Sequence, residues 1–152
     1  MTGAKKSTAV TIGLLVILFF VDTGYAQKRP CADAEARAAL DEAVTLRSWD
    51  ALYGSYKSHR QCDDGAIAEG YAESLARILV DHWNTLPRLA DLAKKDAEFR
   101  AFVMEHVDAT LDHDDVEKIK NSARTQCPTG LRVICNDLEK RADSALRNAS
   151  SP

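Results

Sequence analysis

From residue 31 onward the apolar positions of this chain recur with the helical period, and no stretch alternates as a strand does. Ala36, Leu40, Ala43 and Val44 predict a first helix over about 32–46. Ser48 can cap a second, where Trp49, Leu52, Tyr53 and Tyr56 fall at i, i+3, i+4 and i+7. It closes near His59 and Arg60, basic residues suited to a helix C-terminus. Cys62-Asp63-Asp64-Gly65 breaks the pattern, and Asp63 or Asp64 then caps a long helix over about 65–86.

That long helix carries two stripes. The large one is Ile67, Tyr71, Leu75, Ile78, Leu79, His82, Trp83 and Leu86; the small one is Gly65, Ala68, Ala72 and Ala76. Glu69, Glu73 and Arg77 form a narrow polar edge, with Glu73 and Arg77 at the favourable i, i+4 spacing. A helix apolar around most of its circumference belongs in the centre, and the small stripe invites a close neighbour, which gives Gly70 a purpose. Pro87 opens a short helix through Leu92. Asp96 caps one carrying Phe99, Phe102, Val103, His106 and Val107. Asp112 or Asp114 precedes one carrying Val116, Ile119 and Ala123. The last, after the loop Cys127-Pro128-Thr129-Gly130, shows Leu131, Ile134, Cys135, Leu138, Ala142 and Ala145. The expectation is an all-α single compact bundle of six or seven short helices.

The N-terminus reads differently. Lys5 and Lys6 precede a charge-free run from Ala9 to Val21, and Gly24 and Ala26 occupy the −3 and −1 positions of a cleavage site. This predicts a signal peptide over 1–26, the run being shorter than a membrane span needs. The domain is then 27–152. The removed segment holds Lys5, Lys6 and Asp22, so 20 Lys+Arg and 23 Asp+Glu become 18 and 22, a formal net charge of −4. That mild acidity argues against nucleic acid and anionic lipid as partners. It suits a basic protein partner.

All four cysteines lie beyond the leader, which points to disulfides in an oxidising compartment, periplasmic or secreted. With spacings of 31, 65 and 8 and no CxxC, they match no zinc finger. A tight turn near Arg47-Ser48 makes the first two helices antiparallel, placing Cys31 beside Cys62. Cys127 and Cys135 are joined by a short loop and one helical turn, so 31–62 with 127–135 is the expected pairing.

Candidate chemistry is sparse. His82 and His106 both fall on apolar stripes; each is one histidine without a second ligand at i+3 or i+4, so they read as core histidines rather than a metal or catalytic pair. The run from His106 to Asp115 is rich in oxygen ligands but lacks the glycine and terminal glutamate of an EF-hand loop. Asp63, Asp64, Glu69 and Glu73 cluster at the start of the long helix, where capping accounts for the aspartates and glycosidase chemistry is the rival reading. Trp49, Tyr53 and Tyr56 read as core before surface. No serine elbow, phosphate loop, dinucleotide fingerprint or cofactor motif occurs. The stretch Cys127 to Leu138, with Ile134-Cys135-Asn136-Asp137-Leu138, resembles the cysteine region of helical periplasmic lysozyme-inhibitor-like proteins; it spans about twelve residues and carries no residue role over.

The expectation for function is an exported non-enzymatic protein-binding domain, an inhibitor or immunity protein against a cell-wall-directed enzyme. Its expected contacts are exposed acids: Asp63, Asp64, Asp112, Asp114 and Asp115. Two alternatives remain: a small hydrolase or metal-dependent enzyme using His82, His106 or the acidic cluster, and a periplasmic stress chaperone.

Overall fold

The computed structural model describes residues 29–150; the signal peptide expected over 1–26 lies outside them. Seven α-helices follow in order: α1 (Asp33–Ala43), α2 (Trp49–His59), α3 (Gly65–Asp81), α4 (Leu86–Lys95), α5 (Ala97–Glu105), α6 (His113–Thr125) and α7 (Arg132–Ala149). Single 3-10 turns at Arg60–Cys62 and Trp83–Thr85 link α2 to α3 and α3 to α4. No strand occurs among the described residues, so the fold is all-α.

The caps sit where the sequence offers them. Ser48 Oγ accepts the Ala51 N–H, Asp96 Oδ1 the Phe99 N–H, and Asp112 Oδ1 the Asp114 N–H. Each satisfies a donor that the first turn leaves unpaired. Asp64 accepts the N–H of Gly65, whose φ of +51° is a conformation L side chains rarely adopt.

The central helix is α3. Tyr71, Leu75, Ile78 and Leu79 are all fully buried, and α1, α2 and α6 pack around it. Its contact with α1 is close. A Cβ on Gly70 would lie 3.0 Å from Val44 Cγ1 and 3.1 Å from Ala43 Cβ, so only glycine lets the two backbones meet. Ser74 Oγ and Arg77 Nη2 then donate to the Ala43 and Val44 carbonyls, closing the open end of α1.

Two sequence expectations change here. Helix α1 turns its small residues inward: Ala39 and Ala43 are fully buried, while Leu40 and Val44 stay about 40% exposed. Ala43 and the edge of the Val44 side chain fill the seam against Gly70, so the rest of Val44 is left toward solvent. The long helix also stops at Asp81, sooner than residue 86, so His82 leaves the apolar stripe and is exposed.

Helices α6 and α7 form an antiparallel hairpin, shown by the ion pairs Lys120–Asp143 (2.6 Å) and Arg124–Glu139 (3.5 Å). Disulfides join Cys31 to Cys62 and Cys127 to Cys135, leaving no free cysteine among the described residues. The first ties the lead-in to the end of the α2 hairpin; the second ties the loop before α7 to its first turn. Two disulfides fit an oxidising compartment. No helix among the described residues is long and apolar enough to cross a membrane.

Candidate functional site

The end of α5 brings His106 back against the turn before α3. Its Nδ1 lies 2.8 Å from the Phe102 carbonyl oxygen and its Nε2 3.0 Å from Asp63 Oδ1. A carbonyl and a carboxylate can only accept, so both ring nitrogens carry protons and both are engaged. Against these two acceptors the imidazolium is the favoured form, and it is buried with 8% of its side chain exposed. Burial by itself would lower its pKa. The Asp63 hydrogen bond and charge, joined by the Phe102 carbonyl and Asp108, outweigh burial and raise it above the ordinary histidine value. Phe102 and Tyr71 face the ring, at 4.2 and 6.1 Å between centroids. With neither nitrogen free, His106 offers no lone pair to a substrate proton; what it does is clamp α5 to the start of α3.

A second polar chain crosses the same end of the bundle. Ser55 Oγ donates to Glu42 Oε2 at 3.0 Å, so the Tyr71 hydroxyl, 2.9 Å away, donates to Ser55. His59 Nε2 reaches the same Glu42 oxygen at 3.3 Å, and its Nδ1 is buried without a partner among the described residues. Burial pushes the Tyr71 phenol up. Ser55 is 2% exposed. It therefore joins α1, α2 and α3 rather than facing a cleft.

Between these elements and solvent runs a half-open groove of about 730 Å³. One wall, from the lead-in and the end of α2, carries Arg29, Lys57 and Arg60; the other, from α5, carries Glu98, Ala101, Phe102 and Glu105 at i, i+3, i+4 and i+7. Tyr56 and Phe102 form its floor and are themselves nearly buried. Asp63 lines one end. Three cations thus face three carboxylates. Lys57 pairs with Asp96 at 3.2 Å, and Arg60 with Glu98 across the groove. Arg60 uses only Nη1 for Glu98 and the Tyr56 hydroxyl. Glu105 has no partner among the described residues.

The expected site residues separate. Asp63 turns inward to His106 with 18% of its side chain exposed. Asp64, Asp112 and Asp114 are exposed, the first two as caps; Asp115 pairs with Lys118 at 3.0 Å. His82 lies away from His106, in a recess of about 160 Å³ with Trp49, Thr85 and Arg88. Glu69 and Glu73 are exposed on α3, and Glu73 pairs with Arg77 at 3.5 Å. Trp49 and Tyr56 are core; Tyr53 is half-buried and its hydroxyl donates to Asp96 Oδ2. Among the described residues no cluster of three or more His, Cys, Asp or Glu could hold a metal ion.

No family model, curated protein or solved structure matches this chain. Function has to be argued from the groove itself. Asp63 was among the expected contacts, but the charged walls were missed in the sequence because Arg29, Arg60, Glu98 and Glu105 look like ordinary solvated charge. The usable signal was the Glu98, Ala101, Phe102, Glu105 spacing, a second face on α5 beside its core face.

Proposed function

We propose that the protein is exported and acts as a non-enzymatic binding domain, seating a segment of a protein partner in the groove along α5. The observation that carries this is the groove: a preformed cleft in the size range of binding pockets, walled by charged side chains from two elements. The Cys31–Cys62 bond anchors one wall, so little ordering entropy is lost on association. The engagement of both His106 nitrogens favours binding over acid–base turnover at this site.

The partner class we propose is a basic, cell-wall-directed enzyme, which the protein would occlude as an inhibitor or immunity protein does. The net charge of −4 from residue 27 onward supports this. So do the exposed acids Asp112 and Asp114. Opposite charge mainly speeds encounter and sets register.

The test uses the oxidised protein, immobilised and challenged with periplasmic extract, and a variant in which Ala101→Trp fills the groove. Ala101 is exposed, so the variant should fold. The expected result is capture of a peptidoglycan-degrading enzyme whose activity falls as the protein is added, with both effects lost in the variant. Peptidoglycan turnover by the protein itself, abolished by His106→Ala, would overturn the reading.

A further inference from the structure

We infer that the groove selects polypeptide segments carrying one acidic and one basic side chain about three residues apart, laid along α5; this rests on the groove being the binding face. Glu98 and Glu105 are seven residues apart on α5, roughly 10 Å along its axis. An extended chain covers that distance in about three residues at ~3.3 Å each.

The two ends of this span differ in sign. At the N-terminal end, Lys57 and Arg60 lean in from α2 toward the positive pole of the α5 dipole. Glu98 occupies Arg60 there, but its side chain is 75% exposed. Such an exposed pair is worth little, and Arg60 keeps Nη2 and Nε without partners among the described residues. A ligand carboxylate can take the free face of that guanidinium without breaking the Glu98 contact.

At the C-terminal end the polarity reverses. Glu105 is the last residue of α5, at the negative pole of the dipole, and no described cation neutralises it. Asp63 also lines the groove but gives Oδ1 to His106, and Arg29, the third cation of the lining, is paired with Glu35 at 2.8 Å, which leaves Glu105 as the open carboxylate. A lysine or arginine three residues from the ligand's acid falls here. The groove therefore presents cation, aromatic floor and anion in sequence, the complement of an acid–spacer–base segment. A ligand with two like charges meets one matched and one repelling end.

The experiment is an NMR titration of the oxidised protein with three capped synthetic peptides: Glu-Ala-Ala-Lys, Glu-Ala-Ala-Glu and Lys-Ala-Ala-Lys. The expected result is shifts centred on α5, with the mixed-charge peptide bound up to roughly fivefold more tightly than either other, the ceiling for one exposed charge pair. In Glu105→Lys the preference should pass to Glu-Ala-Ala-Glu, and Ala101→Trp should remove binding of all three. Equal affinities for the three peptides, with loss in Ala101→Trp, would overturn the charge selection and leave the groove as the binding face. Binding untouched by Ala101→Trp would overturn both. No shift with any peptide would overturn the selection as well, leaving the binding face to the capture experiment.

Discussion

Replacing Asp63 by Asn should reverse the part of the pH dependence of stability that His106 contributes. In the wild-type fold Asp63 faces the His106 imidazolium at 3.0 Å, with 18% and 8% of the two side chains exposed. The histidine pKa is raised in the fold, so its stabilisation is complete below the unfolded value of about 6.5 and is lost as pH rises through the folded value. Asn keeps an oxygen acceptor and removes the charge. Burial, the largest influence on this ring, is then opposed only by the Phe102 carbonyl and the more distant Asp108, so the pKa should fall below its ordinary value. Removing one partner of a fully buried pair costs about 3–5 kcal/mol. Asp63 is partly solvated, so about 2–3 kcal/mol is expected near pH 5.5. Once pH has risen through the folded value the charge pair is gone, and the loss should shrink to about 1 kcal/mol, a hydrogen-bond difference. Urea unfolding at pH 5.5, 7 and 9, with an NMR titration of the ring, measures both quantities. A loss independent of pH, or a wild-type His106 titrating below 6.5, would refute the imidazolium assignment.

Replacing each cysteine pair by serine should destabilise unequally. Loop entropy gives about 3.7 kcal/mol for the separation of 31 and about 2.5 kcal/mol for that of 8, and urea unfolding giving the opposite order would contradict the account. Two glycines should respond with opposite sign. Gly54→Ala adds a Cβ into open space within α2 and should stabilise by about 0.5–1 kcal/mol, whereas Gly70→Val drives into Ala43 and should cost about 2 kcal/mol or more. Thermal unfolding of the two variants checks both.

Several of the helices were legible because they write their own start. Ser48, Asp96 and Asp112 are caps in the sequence and caps in the structure, and the apolar period behind each predicts a buried face. The disulfide pairing followed from one geometric step, that a tight turn makes α1 and α2 antiparallel, and the observed Cys31–Cys62 bond agrees. What periodicity could not decide was which apolar stripe of α1 faces inward. Leu40 and Val44 carry more hydrophobic area than Ala39 and Ala43, so burial alone favours them. The choice was made on the other helix, where Gly70 lets α1 come near enough for Ala43 to pack directly against it. A one-helix pattern does not contain its partner's shape.

The same limit hid the site, for a different reason. His106 belonged to the apolar face of α5 by spacing, and that placement was right. Its meaning came from Asp63, 43 residues earlier, which by itself read as a helix cap. Asp64 is the cap; its neighbour turned inward and raised the pKa of the histidine. Adjacent acids with opposite fates cannot be told apart by composition, because the difference lies in which one the Cys62 turn points at α5. The groove is a further step removed. Arg60 and Glu98 are unremarkable alone, and only the packing of α2 against α5 through Tyr53, Tyr56, Phe99 and Phe102 sets their charges across one cleft. The aromatic core, which the helical period does predict, is thus what positions the polar site that it does not. A substitution that thins this core, such as Phe99→Ala, should therefore loosen the groove along with the fold.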